Sequence, residues 1–493
     1  TNDGTERFRI DSSGNVKVGS ACTISQDGDV FFTGVTTATT FAGAHSGSGA
    51  NLTSLPAAQI TGTLPAISAA NLTNVPAANI TGTLPAIDGS NLTGIGGTDF
   101  IHAEQINVSG VTTSQAFIPS QGQLSNRNLI INGDFQISQR ATSSTDNNYG
   151  SVDRWTCQQG NLDEACTQEQ ADVAEGTSPY AEGFRHSWKI TNGNQTSGAG
   201  AGDYIEIYQY IEGHTIANCG WDYKNANSKM TLSFWIKSSV AQKFAGFLYT
   251  TLANGTSVGY MYDYSIDNGG SNLSADTWTK ITHTFPGNSN LNITNGPNYG
   301  LGFGIYPFQG TDFTTSRSHS EAWQTWTTSN KVPDMTSTWY TTNDATLEIT
   351  GVQLEVGSVA TPYEHKKRSQ ELADCMRYYQ IVIQSGGGGG GNTGGLGGTP
   401  YTNGSSVYCP YRFPVEMRAE PSVESTSGTG SGSGTFRTRF GNNYNFNNFS
   451  GFNDANNTSG TFITNGNAGG GDVGNYIWIE TNAGAKLALD AEL

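Results

Sequence analysis

The chain has 493 residues, enough for two to four domains, and only 13% of them are charged, while glycine alone occupies 64 positions. Its net charge of −17 argues against nucleic-acid binding, which needs clustered Lys and Arg. No apolar run is long enough to cross a bilayer and no secretory leader is visible, so no membrane insertion is expected.

The first segment predicts a short β-hairpin. Phe8–Ile10 and Val16–Val18 alternate apolar and basic residues, and Asp11–Gly14 between them has the composition of a turn.

A repeat follows the hairpin. Asn51–Ile67 (NLTSLPAAQITGTLPAI) recurs as Asn71–Ile87 at a period of 20 residues. The prolines of each unit (Pro56 and Pro65 in the first) disfavour helices and central strands, and a unit this short cannot bury its leucines and isoleucines alone. We therefore predict that residues 1–127 form a shaft in which three parallel copies of the chain associate. A flexible linker is the alternative.

Residues 128–365 have the pattern of an antiparallel β-sandwich of the jelly-roll kind. Lys229–Lys237 alternates with its apolar residues on one face. Asp203–Ile211 places isoleucines on one face and Tyr204, Tyr208 and Tyr210 on the other. In Leu347–Glu364 the apolar parity changes after Gly351, which predicts a bulge there.

One short helix and a small β domain are predicted after the sandwich. Residues 366–385 form a helix and connector, because Ser369–Gln380 has an apolar stripe at helical spacing (Leu372, Cys375, Tyr379 and Val382). The stripe could pack on the sandwich or at a threefold axis of three copies. Residues 386–493 form the C-terminal β tip domain, and the glycine run at its start is either a tip loop or a close-packed glycine strand.

One C-terminal segment mixes aromatic and amide side chains. We predict that Asn442–Phe452 is a loop displaying these groups, since amides hydrogen-bond sugar hydroxyls and aromatic rings cover sugar C–H surfaces. A plain polar loop is the alternative. The candidate glycan-contacting residues of the tip domain are Tyr401, Asn443, Tyr444, Phe446, Phe449 and Phe452.

No motif for catalysis, a metal or a cofactor is recognisable. The seven histidines lie outside metal-binding spacings, and there is no nucleophile elbow, phosphate loop or calcium loop. The six cysteines include no Cys-x-x-Cys pair, so we expect buried thiols, with a Cys157–Cys166 bridge left open. We expect no cofactor and no enzymatic activity.

Four segments, in order, resemble bacteriophage tail fibres. Asn128–Phe135 (NLIINGDF) with Val152–Trp155 (VDRW) resembles the opening of a β-sandwich that Gly351–Glu364 closes, a pattern also similar to carbohydrate-binding modules. Arg368–Gln380 and Phe413–Pro421 resemble later segments of such fibres. Besides these four, Glu6–Val16 resembles a unit of marine-phage-like shafts.

The resemblance implies an elongated, mainly β, homotrimeric fibre located in the virion and assembled in the host cytoplasm. Its N-terminal end would contact other phage tail proteins, and the chain would mediate adsorption by binding a bacterial surface glycan or protein receptor. The alternatives are a purely structural shaft component and a polysaccharide depolymerase tailspike.

Charge favours recognition by the tip domain. Residues 128–365 carry 11 basic and 23 acidic side chains, whereas residues 366–493 carry 9 and 10. An anionic host envelope would repel the middle domain more strongly. The second candidate site is the face with Tyr204, Tyr208 and Tyr210, which could instead be a trimer interface.

Overall fold

The computed structural model describes residues 7–20, 22–33, 35, 37, 39–40, 42, 125–250, 259–385, 395–396, 401–403, 405–426, 435–440, 442–464, 478–481 and 484–493. The chain forms two compact units, Thr1–Val111 and Thr112–Leu493. The predicted 20-residue repeat lies outside the described residues. Among those described, no helix combines the length and apolarity needed to cross a membrane.

The N-terminal segment is a four-stranded antiparallel meander that extends the predicted hairpin. Its strands are β1 (Arg9–Ile10), β2 (Val16–Val18), β3 (Cys22–Ile24) and β4 (Val30–Phe32), paired in that order. At the β1–β2 turn the Asp11 carboxylate accepts hydrogen bonds from the backbone N–H groups of Asn15 (3.1 Å) and Ser13 (3.0 Å), which lowers the pKa of Asp11.

Residues 128–365 form the predicted antiparallel sandwich of two six-stranded sheets. The first sheet has the order β13-β10-β18-β8-β7-β5 and the second sheet the order β16-β12-β11-β14-β9-β6. The strands of the first sheet are β5 (Ser143–Ser144), β7 (Thr167–Asp172), β8 (His186–Thr191), β10 (Lys229–Ser238), β13 (Thr279–Pro286) and β18 (Thr346–Val356). Those of the second are β6 (Thr156–Gly160), β9 (Tyr204–Glu212), β11 (Phe244–Thr250), β12 (Tyr260–Ile266), β14 (Tyr299–Gln309) and β16 (Trp323–Thr325). A two-stranded parallel pair, β15 (Thr314–Thr315) with β17 (Val332–Pro333), adjoins them.

The core lies between the two sheets and follows the predicted alternation. Met230, Leu232, Phe234 and Ile236 of β10 are all fully buried, which confirms the predicted inward face of that strand. Large aromatic side chains fill the centre, with the ring centroids of Trp155 and Trp188 5.6 Å apart.

The predicted bulge at Gly351 is confirmed. The pairing of β10 with β18 shifts register where Ser233 faces Gln353 and Trp235 faces Thr350. Gly351 has φ +64°, and a Cβ there would lie 2.4 Å from the Phe184 ring. Glycine is required at this position for both reasons.

We expect Gly351→Ala to lower the unfolding free energy by roughly 1–3 kcal/mol, because it combines left-handed strain with overpacking. Gly269→Ala is the matched control, since Gly269 has φ +60° with no atom within 4 Å of an added Cβ. Urea denaturation of both variants separates the two causes. Equal losses of unfolding free energy in the two variants would mean that the clash with Phe184 adds nothing to the effect of Gly351→Ala.

The helix after the sandwich is shorter than predicted. It is α4 (Arg368–Met376), and Tyr379 begins strand β19 (Tyr379–Gln384). The prediction of a helix to Gln380 is therefore wrong, because Tyr379–Gln384 pairs with the end of the chain at β28 (Lys486–Asp490). In the single chain α4 packs on the sandwich, where buried Glu371 accepts the Asn132 backbone N–H. Three shorter helices are α1 (Ser178–Ala181), α2 (Gly213–Asn218) and α3 (Thr338–Thr341).

The C-terminal residues form three small antiparallel sheets around a second core. The sheets have the orders β19-β28-β22, β20-β21-β26-β25 and β24-β23-β27. The remaining strands are β20 (Tyr401–Thr402), β21 (Val407–Arg412), β22 (Ser422–Thr426), β23 (Phe436–Phe440), β24 (Asn442–Phe446), β25 (Phe449–Asn453), β26 (Ser459–Thr464) and β27 (Trp478–Thr481). These strands confirm the predicted β character of the C-terminal segment.

The opening and closing motifs of the sandwich lie side by side. The Asn128 side-chain amide donates to Val352 O (3.0 Å), and the backbone N–H of Val352 donates to Gly133 O (2.9 Å). The Trp155 indole N–H donates to Asn132 O (3.1 Å). These residues are buried or form backbone hydrogen bonds, so the motifs hold the sandwich together.

A buried ionic junction joins the sandwich to the C-terminal residues. Arg154 pairs with Glu492, and its guanidinium lies 3.4 Å from the centroid of the Tyr378 ring. Arg140 pairs with Glu492 (3.3 Å) and with Asp490 (2.9 Å). Because the arginines and their partners come from opposite sides of the junction, it fixes the C-terminal sheet against the sandwich.

The described cysteines form no disulfide bond. Cys157 and Cys166 are both buried without a bridge, and burial raises the pKa of Cys166 to about 12. Their role is packing.

Candidate functional site

Aromatic side chains cover the outer face of the second sheet, which points away from the sandwich core. We call this surface the aromatic face. Its residues are Tyr204, Tyr208, Tyr210, Phe247, Tyr249, Tyr299, Tyr306 and Trp326. The three tyrosines of β9 share this face, while Ile205, Ile207 and Ile211 point into the core, as their alternation predicts.

Glycines in β14 make room for the rings. The strand register places Gly302 between Tyr210 and Tyr249, and Gly304 between Tyr208 and Phe247. A Cβ at Gly302 would lie 2.9 Å from the Tyr210 ring, and one at Gly304 would lie 2.3 Å from the Phe247 ring. The rings therefore lie across β14, which no residue with a side chain would permit.

The aromatic face is closed at one end and open along the rest. Phe247 and Tyr306 are buried and stack with centroids 4.4 Å apart, beside buried Val332. Tyr210 and Tyr299 stack at 4.6 Å and remain partly exposed.

Trp326 extends the open part of the face. Its ring contacts Tyr249 edge-on at 5.6 Å, and both side chains are partly exposed. Its backbone N–H donates to Gly259 O (2.8 Å), which anchors the segment that carries it. Partly exposed rings on a hydrogen-bonded sheet form a rigid apolar platform.

Two carboxylates on the same outer face of the sheet, Glu206 and Asp263, are paired with protein partners. Glu206 pairs with Lys331 and accepts a hydrogen bond from the Gln309 amide (3.2 Å). Asp263 is contacted by Arg317 (3.1 Å) and His319 (3.0 Å).

Asp263 stays ionised in this setting. Burial alone would raise its pKa, but hydrogen bonds from His319 and Ser320 and the nearby Arg317 charge outweigh burial and hold the pKa below its usual value. With their charges balanced internally, Glu206 and Asp263 do not make the platform strongly anionic, although the sandwich as a whole is acidic.

The hydroxyls of Tyr208, Tyr210 and Tyr249 are neutral at physiological pH. Burial raises the pKa of Tyr249 to about 12 and the pKa values of Tyr208 and Tyr210 further above their usual range. The Tyr208 hydroxyl donates to Gln158 Oε1 (3.4 Å). Neutral hydroxyls and amides beside apolar rings can both donate to and accept from an uncharged polar ligand.

The prediction that Asn442–Phe452 of the C-terminal domain is a loop is wrong. Most of Asn442–Phe452 forms the strands β24 and β25. Phe446 is buried, and Phe449 and Phe452 pack on Phe462 with centroids 5.2 Å and 4.5 Å away. These rings build the second core, because alternate positions of paired strands point inward.

The other tip candidates are placed differently. Tyr444 is partly buried in β24, and the side chain of Asn443 lies outside the described set. Tyr401 is 47% exposed and stacks on Tyr408 with centroids 5.2 Å apart. In the described part of the tip domain, this pair is the one exposed stacked surface that includes a candidate residue. Its strands, β20 and β21, do not pair with β25, which carries Phe452.

The sequence pattern did not identify Tyr249, Tyr299 and Trp326 as members of the aromatic face. A usable signal is present in Tyr299–Tyr306 (YGLGFGIY), where glycine occupies every second position. Glycines confined to one face of a strand indicate that bulky side chains of neighbouring strands lie over it. Within the described part of the chain, no group of three or more His, Cys, Asp or Glu side chains is arranged to hold a metal ion.

No protein-family model matches the sequence, and no curated protein matches it. Among solved structures, the enzymatically active domain of tailspike protein 4 of bacteriophage CBA120 matches at 9% identity and a TM-score of 0.24, over 47% of this chain and 21% of that chain. The family 11 carbohydrate-binding module of the Clostridium thermocellum cellulase Lic26A-Cel5E matches at 11% identity and a TM-score of 0.21, over 44% and 96% of the two chains.

A third similar structure is the tandem CBM22-1–CBM22-2 domain of Paenibacillus barcinonensis Xyn10C, with 10% identity and a TM-score of 0.23, over 77% of this chain and all of that chain. The chain spans only about a fifth of the tailspike that it matches. All three TM-scores are below 0.5, so function has to be inferred from the residues of this chain.

Proposed function

We propose that the chain is a bacteriophage tail-fibre protein that recognises the host cell, and that the aromatic face binds a glycan of the bacterial surface. The observation that carries the glycan proposal is the row of partly exposed rings, Tyr210, Tyr249, Tyr299 and Trp326, fixed on one sheet. Aromatic faces cover the C–H surfaces of sugars, and the neutral hydroxyls beside them hydrogen-bond sugar hydroxyls.

The spacing and charge of the platform indicate the kind of glycan. Tyr210 and Tyr249 lie on strands separated by β14, so their backbones are roughly 9–10 Å apart. Rings at that spacing can contact alternate units of a linear oligosaccharide. Because Glu206 and Asp263 are paired internally, the ligand needs no charge to balance them, which favours an uncharged glycan.

The fibre part of the proposal rests on the four motifs and the 20-residue repeat in the sequence. It includes a homotrimer, a location in the virion tail after assembly in the host cytoplasm, contact of the N-terminal end with other tail proteins, and no cleavage of the bound glycan. Incubation with the bound polysaccharide should release no reducing ends. Release that depends on a single carboxylate would make the chain a depolymerase.

The glycan proposal predicts that Trp326→Ala weakens binding to a glycan array about ten- to hundred-fold, the effect of losing a central aromatic contact. Trp278→Ala is the matched control, because Trp278 is also partly exposed but lies beside Lys237 of the first sheet. Unchanged binding by the Trp326 variant would remove the site from this face. A dissociated assembly with Trp326→Ala would make the face a subunit interface instead.

A further inference from the structure

One face of the N-terminal sheet consists entirely of apolar side chains. The strand register aligns Ile10, Val16, Ile24 and Val30 in one row, and Val18, Cys22 and Phe32 in the next row on the same side. Phe8 precedes Ile10 by two residues and so has the same parity. We call this set the apolar N-terminal face.

The opposite side of the same sheet is mostly polar. Its aligned row is Arg9, Lys17, Thr23 and Phe31. The sheet is therefore amphipathic, which is the pattern of a layer that covers a core.

The described part of the chain supplies no such core. None of the described residues between Arg7 and Thr33 is buried. Phe8 is 63% exposed, Ile10 64% and Phe32 53%. A second layer would remove these apolar side chains from water, which is favourable in proportion to the area that it covers. A small sheet with one apolar face is stabilised when that face packs against another layer.

We infer that the apolar N-terminal face packs against the same faces of the other copies of this chain, around the axis of the homotrimer. Charge points to that partner. The segment carries Arg7, Arg9 and Lys17 against Asp11, Asp27 and Asp29, so it is electroneutral in a chain whose net charge is −17. Copies would repel one another through the rest of the chain, but this segment can associate with itself without a charge penalty.

The geometry is also self-complementary. Three such faces turned toward one axis enclose a shared apolar core in a closed, symmetric assembly, which keeps the basic row outward. This inference deepens the assembly part of the proposed function and is independent of the glycan site. It names the surface through which the copies meet.

The natural cysteines provide the test. Cys22 lies in the row between Val18 and Phe32, and it is the one cysteine of the chain that is partly exposed, since the other five are buried. In the full chain, we expect iodoacetamide to label Cys22 roughly tenfold or more slowly in the assembled protein than after dilution to the monomer. Light scattering gives the mass under each condition.

Two neighbouring phenylalanines give a matched pair of variants. Phe32→Asp places a charge on the apolar N-terminal face, whereas Phe31→Asp places the same charge on the opposite face at a residue of similar exposure, 58%. We expect Phe32→Asp to lose both the slow labelling and the assembly through this segment, and Phe31→Asp to retain both.

Three results would overturn the inference: free labelling of Cys22 in an assembled wild type, slow labelling in a dilute monomer, or equal behaviour of the two variants. Free labelling in the assembled protein would mean that the trimer forms through another surface. Slow labelling in the monomer would mean that the chain covers its own apolar N-terminal face. Because the wild-type labelling needs no substitution, misfolding of a variant does not obscure the outcome. None of these results bears on glycan binding, so failure here and failure at the aromatic face are distinguishable.

Discussion

Replacing Arg154 with methionine is expected to lower the unfolding free energy of the protein by about 3–5 kcal/mol, the usual effect of removing one partner of a buried ion pair. Arg154 is 1% exposed. It pairs with Glu492, donates to Tyr210 O (2.7 Å) and lies over the Tyr378 ring. Its loss leaves the Glu492 carboxylate buried with Arg140 as its remaining partner, which places the effect near the lower end of that range.

Urea denaturation measures this effect, and an exposed pair is the control. Lys280→Met removes the partner of Glu182, and both of those side chains are more than a third exposed, so a loss of at most about 1 kcal/mol is expected. The double variant Arg154→Met with Glu492→Leu should recover part of the stability, because it removes the unpaired charge. Equal losses for the two single variants would show that the junction does not stabilise the fold.

The protein is also expected to become less stable as pH rises from 5 to 8, because two buried carboxyls near the junction hold their protons in the folded state. Burial raises the pKa of Asp153 to about 6, against hydrogen bonds from Gln139 that lower it. Burial likewise raises the pKa of Glu371 to about 7, against the opposing charge of Lys366.

The direction of this pH dependence follows from the number of protons that each state binds. Between the unfolded pKa of about 4 and the folded pKa, the folded state holds a proton that the unfolded state has released. Stability is then fully present below the unfolded pKa and is lost as pH rises through 6 and 7. Each tenfold difference in proton affinity between the folded and unfolded states is worth about 1.4 kcal/mol, so each group contributes on the order of 3 kcal/mol.

Urea midpoints at pH 5, 6, 7 and 8 test this trend. Glu371→Gln should flatten the upper part of the curve, because glutamine keeps an acceptor for the Asn132 N–H without a titrating proton. A wild-type midpoint that rises steadily from pH 5 to 8 would contradict the assigned protonation of Asp153 and Glu371.

Local pattern predicted most of the sandwich. The alternation in Lys229–Lys237 and Asp203–Ile211 identified the inward faces of β10 and β9, and the parity change at Gly351 identified the bulge. These features depend only on a period of two, which a short window of sequence contains. The same alternation placed Tyr204, Tyr208 and Tyr210 on one outer face.

Long-range pairing explains what the sequence did not reveal. Tyr379–Gln384 continues a helical stripe locally, but it pairs with residues more than a hundred positions later. Asn442–Phe446 is rich in asparagine, which strands disfavour, yet it pairs with Phe436–Phe440 and buries Phe446. Tertiary contacts override weak local propensity in both cases.

The composition of the aromatic face also depends on the order and register of the strands. Tyr249, Tyr299 and Trp326 join the β9 tyrosines only because β14 lies between β9 and β11 and carries glycines at the crossing points. Strand order is not contained in the alternation of any one strand, so the site could be predicted only in part.

Calorimetric titration of the full chain with the oligosaccharide selected by the glycan array tests the central claim most directly, using two paired double variants. The double variant Tyr249→Ala with Trp326→Ala removes two contacting rings of the aromatic face. The double variant Tyr401→Ala with Tyr408→Ala removes the exposed stacked pair of the C-terminal domain. We predict that the first variant loses measurable binding while the second binds as the wild type does. Retained binding by the first variant together with loss by the second would place recognition in the C-terminal domain and contradict the account.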